Sequence, residues 1–258
     1  MVKVMLDPGH GGTDPGGVAN GLQEKNLTLK IAIYTRDYLL ANYRGIVVRM
    51  TRSDDRFISL NSRSQQANAF KANLFVSIHI NSGGGTGFET YRFTGRASST
   101  TLALQSNLHS EILTAMKSFG NVGDRGQKQA NYAVLRQTTM PANLTENLFI
   151  DRTADANLLK NETFLKAVGE AHARAIAKTL GVAPISQPKP TPAPEQPGEN
   201  EGGRTLNLQE WQWKELAEVY AKANQSGVLK SDQWTKKAQN KTLTVDEAIF
   251  LNAILIGR

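Results

Sequence analysis

Cysteine is absent from the 258-residue chain, which excludes disulfide staples and thiolate metal ligands together. The compartment stays open on that ground, since a cysteine-free protein works in reducing and oxidising surroundings alike. No apolar run approaches the ~18 residues a transmembrane helix requires, and no cationic segment followed by an apolar one precedes the first strand. The expectation is synthesis in the cytoplasm without a signal peptide, and no membrane insertion. A basic helix and basic-aromatic interleaving are missing too. The net charge of +7 is dispersed, with 21 Lys and Arg against 14 Asp and Glu over residues 1–181 and 9 against 9 beyond. This argues against nucleic acid and leaves an anionic polymer or wall as the partner, or a plain solvated surface. Aromatic residues are scarce, and all three tryptophans, Trp211, Trp213 and Trp234, sit in the last fifth of the chain.

What the chain does contain is apolar strands ending in polar loops. The first, VKVMLDPGHGGTDPGG, runs from Val2 into a loop of five glycines and two prolines that carries His10 and Asp14. Ligands bind in α/β proteins outside the carboxyl ends of strands, so this loop is a site candidate; the alternative is a tight turn with an incidental histidine. A helix follows, with Leu27, Ile31, Tyr34 and Tyr38 on one stripe and Leu29, Ile33 and Leu40 widening it. Glu24 falls in its first turn, where it either interacts with the positive helix end or faces the His10 loop. A strand at 46–50, a helix over 60–70 burying Leu60, Ala67 and Phe70, and a strand at 74–81 come next. In LFVSIHIN a period of two places Phe75, Ser77, His79 and Asn81 on one side, and His79 is either a satisfied core histidine or part of a site at that edge.

Further strands are expected at 87–93, 132–136 and 143–149, and helices at 99–119 and 162–180. Glu89 could reach the site or lie on an outer surface. Residues 119–132 read as a glycine-punctuated loop whose Asp124, Arg125 and Lys128 would rim an anionic ligand. His109 and His172 fall off their helices' apolar stripes and are expected at the surface or its boundary. Glu146 sits within the apolar strand NLTENLF, where an ionised carboxylate is costly unless it is paired, hydrogen-bonded or beside a metal; an edge strand with Glu146 in water is the plain alternative.

The fold class expected is α/β: a six-stranded, largely parallel or mixed sheet with helices on both faces, plus a small all-helical C-terminal domain. The composition divides the chain into a domain over 1–181, a proline-rich linker over 182–203 and a helical module over 204–258. In the module Thr244 and Glu247 form a capping box, and Trp211 and Trp213 cannot both face the same side of a helix, so one is a candidate for an exposed contact. His10, Glu24 and His79 can converge at one sheet edge. Two imidazoles and a carboxylate are a ligand set used for catalytic zinc, although separations of 14 and 55 residues match no local metal motif. Glu146, on another strand, fits a general base.

The chain resembles the zinc-dependent N-acetylmuramoyl-L-alanine amidases, cell-wall hydrolases. The pieces that carry the resemblance are LDPGHGGTDPG around His10, Glu24, TR at 51–52, AN at 72–73 leading to SIHIN around His79, DRG at 124–126, YAVLR, and PANLTENLFID around Glu146. The resemblance implies one zinc ion on His10, Glu24 and His79, catalytic assistance from Glu146, peptidoglycan as substrate and hydrolysis of the amide between N-acetylmuramic acid and L-alanine. Two departures are Thr145 and Asn147, where the family pattern has valine or isoleucine before the glutamate and glycine soon after it; the pair is expected to change the groove lining. The short connection between Glu89 and the helix at 99 leaves no room for a blocking regulatory helix, which implies control by location. The combination looks like a phage endolysin or mother-cell lysis enzyme that acts on the wall after release. The module would bind the cell wall or, alternatively, mediate dimerisation. A zinc endopeptidase and a non-catalytic wall binder are the rival readings.

Overall fold

The computed structural model describes residues 1–185, 205–229, 231–245, 247, 248 and 251. Most of the proline-rich segment therefore lies outside the described residues. The chain divides into two units, Met1–Gln187 and Pro188–Arg258.

The first unit is built on a six-stranded mixed sheet with the order β4-β1-β5-β8-β6-β7. Its strands are β1 (Val2–Pro8), β4 (Ile46–Met50), β5 (Leu74–Asn81), β6 (Phe88–Phe93), β7 (Asp124–Ala130) and β8 (Ala142–Phe149), while β2 (Val18–Ala19) and β3 (Leu22–Gln23) form a small separate hairpin. Strands β4, β1, β5 and β8 run parallel, β6 is antiparallel to β8, and β7 is parallel to β6. Central parallel strands are covered on both faces, which is why β1 and β5 read as near-continuous apolar runs.

Helices α1 (Glu24–Asn42), α3 (Ser99–Lys117) and α6 (Glu162–Leu180) build the larger core, with Val4, Leu6, Val76, Ile78, Ile31, Leu108 and Val168 at its centre. Gly169 lets α1 and α6 approach closely, since a Cβ there would lie 2.5 Å from that of Tyr34. The opposite face packs Met5, Phe75 and Leu144 beneath α2 (Leu60–Phe70) and α4 (Ala133–Arg136), while α5 (Thr153–Leu159) follows β8. Caps fix the helix ends: Ser98 accepts from Thr101 N, Asn161 from Thr163 N and Phe164 N, and Gly181 closes α6 at φ 62°. The chain remains packed past α6, where Ile185 N donates to Asn42 O.

The six-strand count holds, but the membership differs from expectation. Residues 133–136 form the short helix α4, because an apolar run that short suits a buried helical turn as well as a strand. The sixth strand is β7, DRGQKQA, expected as loop; an edge strand exposed along its length needs no apolar period. His109 and His172 are both buried rather than superficial. His109 sits between Thr90 Oγ1 and Asp124 Oδ1 and stacks on Phe88, and His172 lies where α6 is covered by sheet and helices over a wide arc. Leu60 and Leu40, expected in the core, are exposed.

In the second unit, α7 (Glu210–Gln225) and α8 (Gln233–Gln239) pack Trp213, Ala217, Tyr220 and Ala238 with Leu229, Leu243 and Leu251. Thr244 N donates to Glu247 Oε2 and Glu247 N to Thr244 Oγ1, the expected capping box. Trp213 is in the core, and the side chain of Trp211 lies outside the described residues.

Candidate active site

The His10 loop is fixed by its own backbone. Gly11 N donates to Asp14 O and Asp14 N to Gly11 O, closing a tight turn that holds His10 at φ 60°, a region non-glycine residues rarely adopt. Gly9 has no space for a side chain, because a Cβ would meet the His79 ring at 2.3 Å. Two buried guanidiniums clamp the loop from below. Arg52 donates to Pro8 O, Gly9 O, Lys25 O and Thr28 Oγ1, and Arg63 donates to Asp7 Oδ1, Pro8 O and His10 O. Asp7, fully buried, also accepts from Thr51 Oγ1 and Ser77 Oγ.

Glu24 is the first residue of α1, placed there by the β2-β3 hairpin, with Glu24 N bonded to Gly17 O. Its carboxylate turns back into the loop. Oε2 accepts from Gly17 N and Oε1 from Ile80 N, while His79 Nδ1 lies 3.0 Å and His10 Nε2 3.2 Å from Oε1. One potential ligand atom from each of His10, Glu24 and His79 lies within 4.8 Å of the others. Asp14 Oδ2 takes the remaining His10 nitrogen, Nδ1, at 2.9 Å. Two imidazole nitrogens turned on one carboxylate oxygen can each donate an N–H to it or share a metal ion with it, and the nitrogen and oxygen donors with an outer carboxylate on His10 fit a zinc site.

The charges follow this geometry. Burial pulls the His10 imidazolium down, but Glu24 and Asp14 outweigh it and hold the group at about 8. Burial pushes the Glu24 carboxyl up, yet the two imidazoles hold it far below the usual carboxylate range.

Glu146 lies beside this cluster on the sheet face, paired with His79 across one ladder and with Glu89 across the other. Burial raises its carboxyl to about 7, against the lowering influence of His79. Its Oε2 is buried without a hydrogen-bond partner among the described residues. Glu89 is buried and accepts from Asn81 Nδ2, Tyr91 Oη, Arg125 Nε and Lys128 Nζ. The row of polar side chains therefore crosses the sheet from β1 to β7. A cleft over its start is lined by His10, His79, Phe57, Ile58, Leu60 and Val134, so exposed Leu60 and Phe57 serve as its apolar rim.

The structure brings His10, Glu24, His79 and Glu146 together and adds Glu89 to their row. It keeps His109 and His172 apart, on the face covered by α1, α3 and α6. Thr145 and Asn147 do not line the groove, contrary to expectation. Strand alternation turns them to the helix side, where Thr145 Oγ1 meets His172 Nε2 at 3.0 Å and Asn147 Nδ2 donates to His79 O. Sequence reasoning gave no supporting role to Asp14, Arg52 or Arg63. An arginine in a polar exit loop looks like any solvated one, and only the TR pair at 51–52 hinted at Arg52.

Comparison with known proteins gives a consistent picture. Residues 4–178 match the family described as N-acetylmuramoyl-L-alanine amidase. The chain is 46% identical over 186 residues to the sporulation-specific N-acetylmuramoyl-L-alanine amidase of Bacillus subtilis (strain 168), covering 72% of this chain and 71% of that one. It is 48% identical over 197 residues to the endolysin of Bacillus phage SPP1, covering 73% and 72%. Among solved structures, the catalytic domain of the amidase CwlV from Bacillus (Paenibacillus) polymyxa var. colistinus superposes with a TM-score of 0.65 at 34% identity, over 71% of this chain and all of that one. The N-acetylmuramoyl-L-alanine amidase of Clostridium difficile 630 does so with 0.65 at 32%, over 70% and 97%.

Proposed function

The chain belongs to the N-acetylmuramoyl-L-alanine amidase family, and from that premise we propose that it cleaves the muramoyl-L-alanine amide with one zinc ion held by His10, Glu24 and His79. Glu146 is the carboxylate that handles the proton. The observation that carries this reading is the convergence of three donors from separate segments beside a buried carboxylate oxygen with no hydrogen-bond partner among the described residues. The chemistry zinc supplies in such a donor set is Lewis acidity toward a carbonyl and toward water.

The chain's own residues do the rest. Asp14 holds the Nδ1 side of His10 and so leaves Nε2 directed at Glu24. Backbone amides of Gly17 and Ile80 lock the Glu24 carboxylate, so the cluster is ordered before any ligand arrives. Glu146, with a carboxyl group near neutrality, takes the proton of the attacking water and returns it to the leaving L-alanine nitrogen. Glu89, one ladder away, keeps its charge through Arg125 and Lys128 and so disfavours a second permanent carboxylate on Glu146.

The test is a digest of purified peptidoglycan that scores new amino termini and reducing ends together, with zinc-loaded, chelated and Glu146→Ala protein. New L-alanine termini without reducing ends, lost in both controls, are expected. Termini of another residue would make the protein an endopeptidase, and wall binding without cleavage would make it a binder. For the C-terminal unit we propose cell-wall binding, with action on the wall after release; dimerisation is the competing role. Retention of the unit on isolated walls, against its mass in solution, separates the two.

A further inference from the structure

Beyond Glu146 the polar row ends in more positive charge than the fold needs. Glu89 is neutralised by a single cation, yet both Arg125 Nε and Lys128 Nζ bind its Oε2. Glu89 is almost fully buried, whereas the Arg125 and Lys128 side chains keep 35% and 37% of their surface in solvent. Arg125 is also held at two points: its Nε is anchored on Glu89 and its guanidinium carbon lies over the Phe149 ring, 4.8 Å from its centre. Its two terminal nitrogens bond to no described residue. A guanidinium pinned at one end and seated over an aromatic ring is a preorganised two-pronged receptor for a carboxylate. Lys128, 5.9 Å from the Tyr91 ring centre, adds a point charge beside it.

We propose that Arg125 and Lys128 form a carboxylate-binding subsite for the peptide beyond the scissile amide, a specificity determinant of the amidase reading on which it rests. Position sets the register. Glu146 and Glu89 are directly opposed, and Arg125 and Lys128 stand one strand further on. Two strand spacings place them roughly 10 Å from Glu146, and an extended peptide advances about 3.3 Å per residue. The carboxylate recognised is thus on the second or third residue after the cleaved bond. The substrate class is an acidic stem peptide, and one whose carboxylates are amidated is the poorer substrate.

The experiment uses the full chain loaded with zinc and two soluble muramoyl tripeptides that differ only in carrying carboxylates or carboxamides on residues two and three. The expected result is a kcat/KM about 10-fold higher for the carboxylate form, seen mainly in KM, as one charge-assisted pair would give. In Arg125→Met that ratio falls toward one, and Lys128→Met reduces it in part. Arg125→Lys keeps the charge next to Glu89 and loses the paired donors, so it shows a reduced ratio even if the methionine variant does not fold. Equal rates on both peptides with the unsubstituted protein, or a ratio that survives in Arg125→Lys and Lys128→Met, overturn the subsite and leave the amidase reading standing. Cleavage of neither peptide overturns the amidase reading and the subsite with it.

Discussion

Four histidines in one chain form two pairs, one half-buried at the strand ends and one buried within the fold. His10 and His79 share the Glu24 carboxylate at a strand end, and their protonated forms are favoured. His109 and His172 lie on the other face of the same sheet, among α1, α3 and α6, bonded to hydroxyls, to the Val168 carbonyl and to Asp124. His172 is driven the other way, down to about 4, because burial without a carboxylate disfavours the imidazolium. What sets His10 and His79 apart is a buried anion directed at both rings and a backbone that holds that anion in place.

The largest contrast comes from the group next to the first pair. Glu146→Gln is expected to lower kcat by about 10³-fold on peptidoglycan while zinc binding persists, the range for loss of a positioned acid-base group. Retained turnover would move the proton-handling role elsewhere. His79→Gln should weaken zinc by more than about 100-fold in a chelator competition, beyond what an outer partner contributes, whereas His172→Gln leaves that affinity unchanged. Equal losses in the two variants would erase the distinction between the pairs.

His172 is instead expected to show itself in stability. Its folded value lies below the ordinary 6.5, so the unfolded chain binds the extra proton. The stabilisation is complete above pH ~6.5 and is lost as pH falls toward 4, amounting to roughly 3 kcal/mol. Denaturant titrations across that window should show the slope, and His172→Gln should flatten it. A smaller effect belongs to Asp14→Asn, which should weaken zinc by about 10–100-fold with little change in the melting temperature of the chelated protein. An unaltered affinity would remove Asp14 from the orienting role.

How much of this was readable in the sequence depends on which force places each element. Strands β1 and β5 are buried on both faces, so their apolar runs announce them, and the polar residues that interrupt their ends, His79 among them, stand out. Glu146 was legible for the same reason, as a carboxylate inside an apolar strand, whereas Glu24 stands at a helix start where a carboxylate is ordinary, and only its place facing the His10 loop marked it. β7 was not legible, because ladder hydrogen bonds to β6 rather than burial make DRGQKQA a strand. The partners of His109 and His172 come from elements distant in sequence, so a stripe drawn on one helix could not place them inside. Thr145 and Asn147 make the point from the other side. They depart from the family pattern in sequence beside Glu146, and in space they belong with His172 and the His79 carbonyl.

The polarity of β7 has a consequence for how the protein behaves among its own copies. A sheet edge presents a row of unsatisfied amides and carbonyls on which another strand can grow. Here that edge carries Asp124, Arg125 and Lys128 interspersed with glutamine and glycine, a composition that repels an incoming strand and offers it no apolar surface. Rewriting its outward positions as valine or isoleucine would remove that barrier and favour strand addition between molecules. The same seven residues that lack an apolar period thus guard the sheet edge against addition of a further strand.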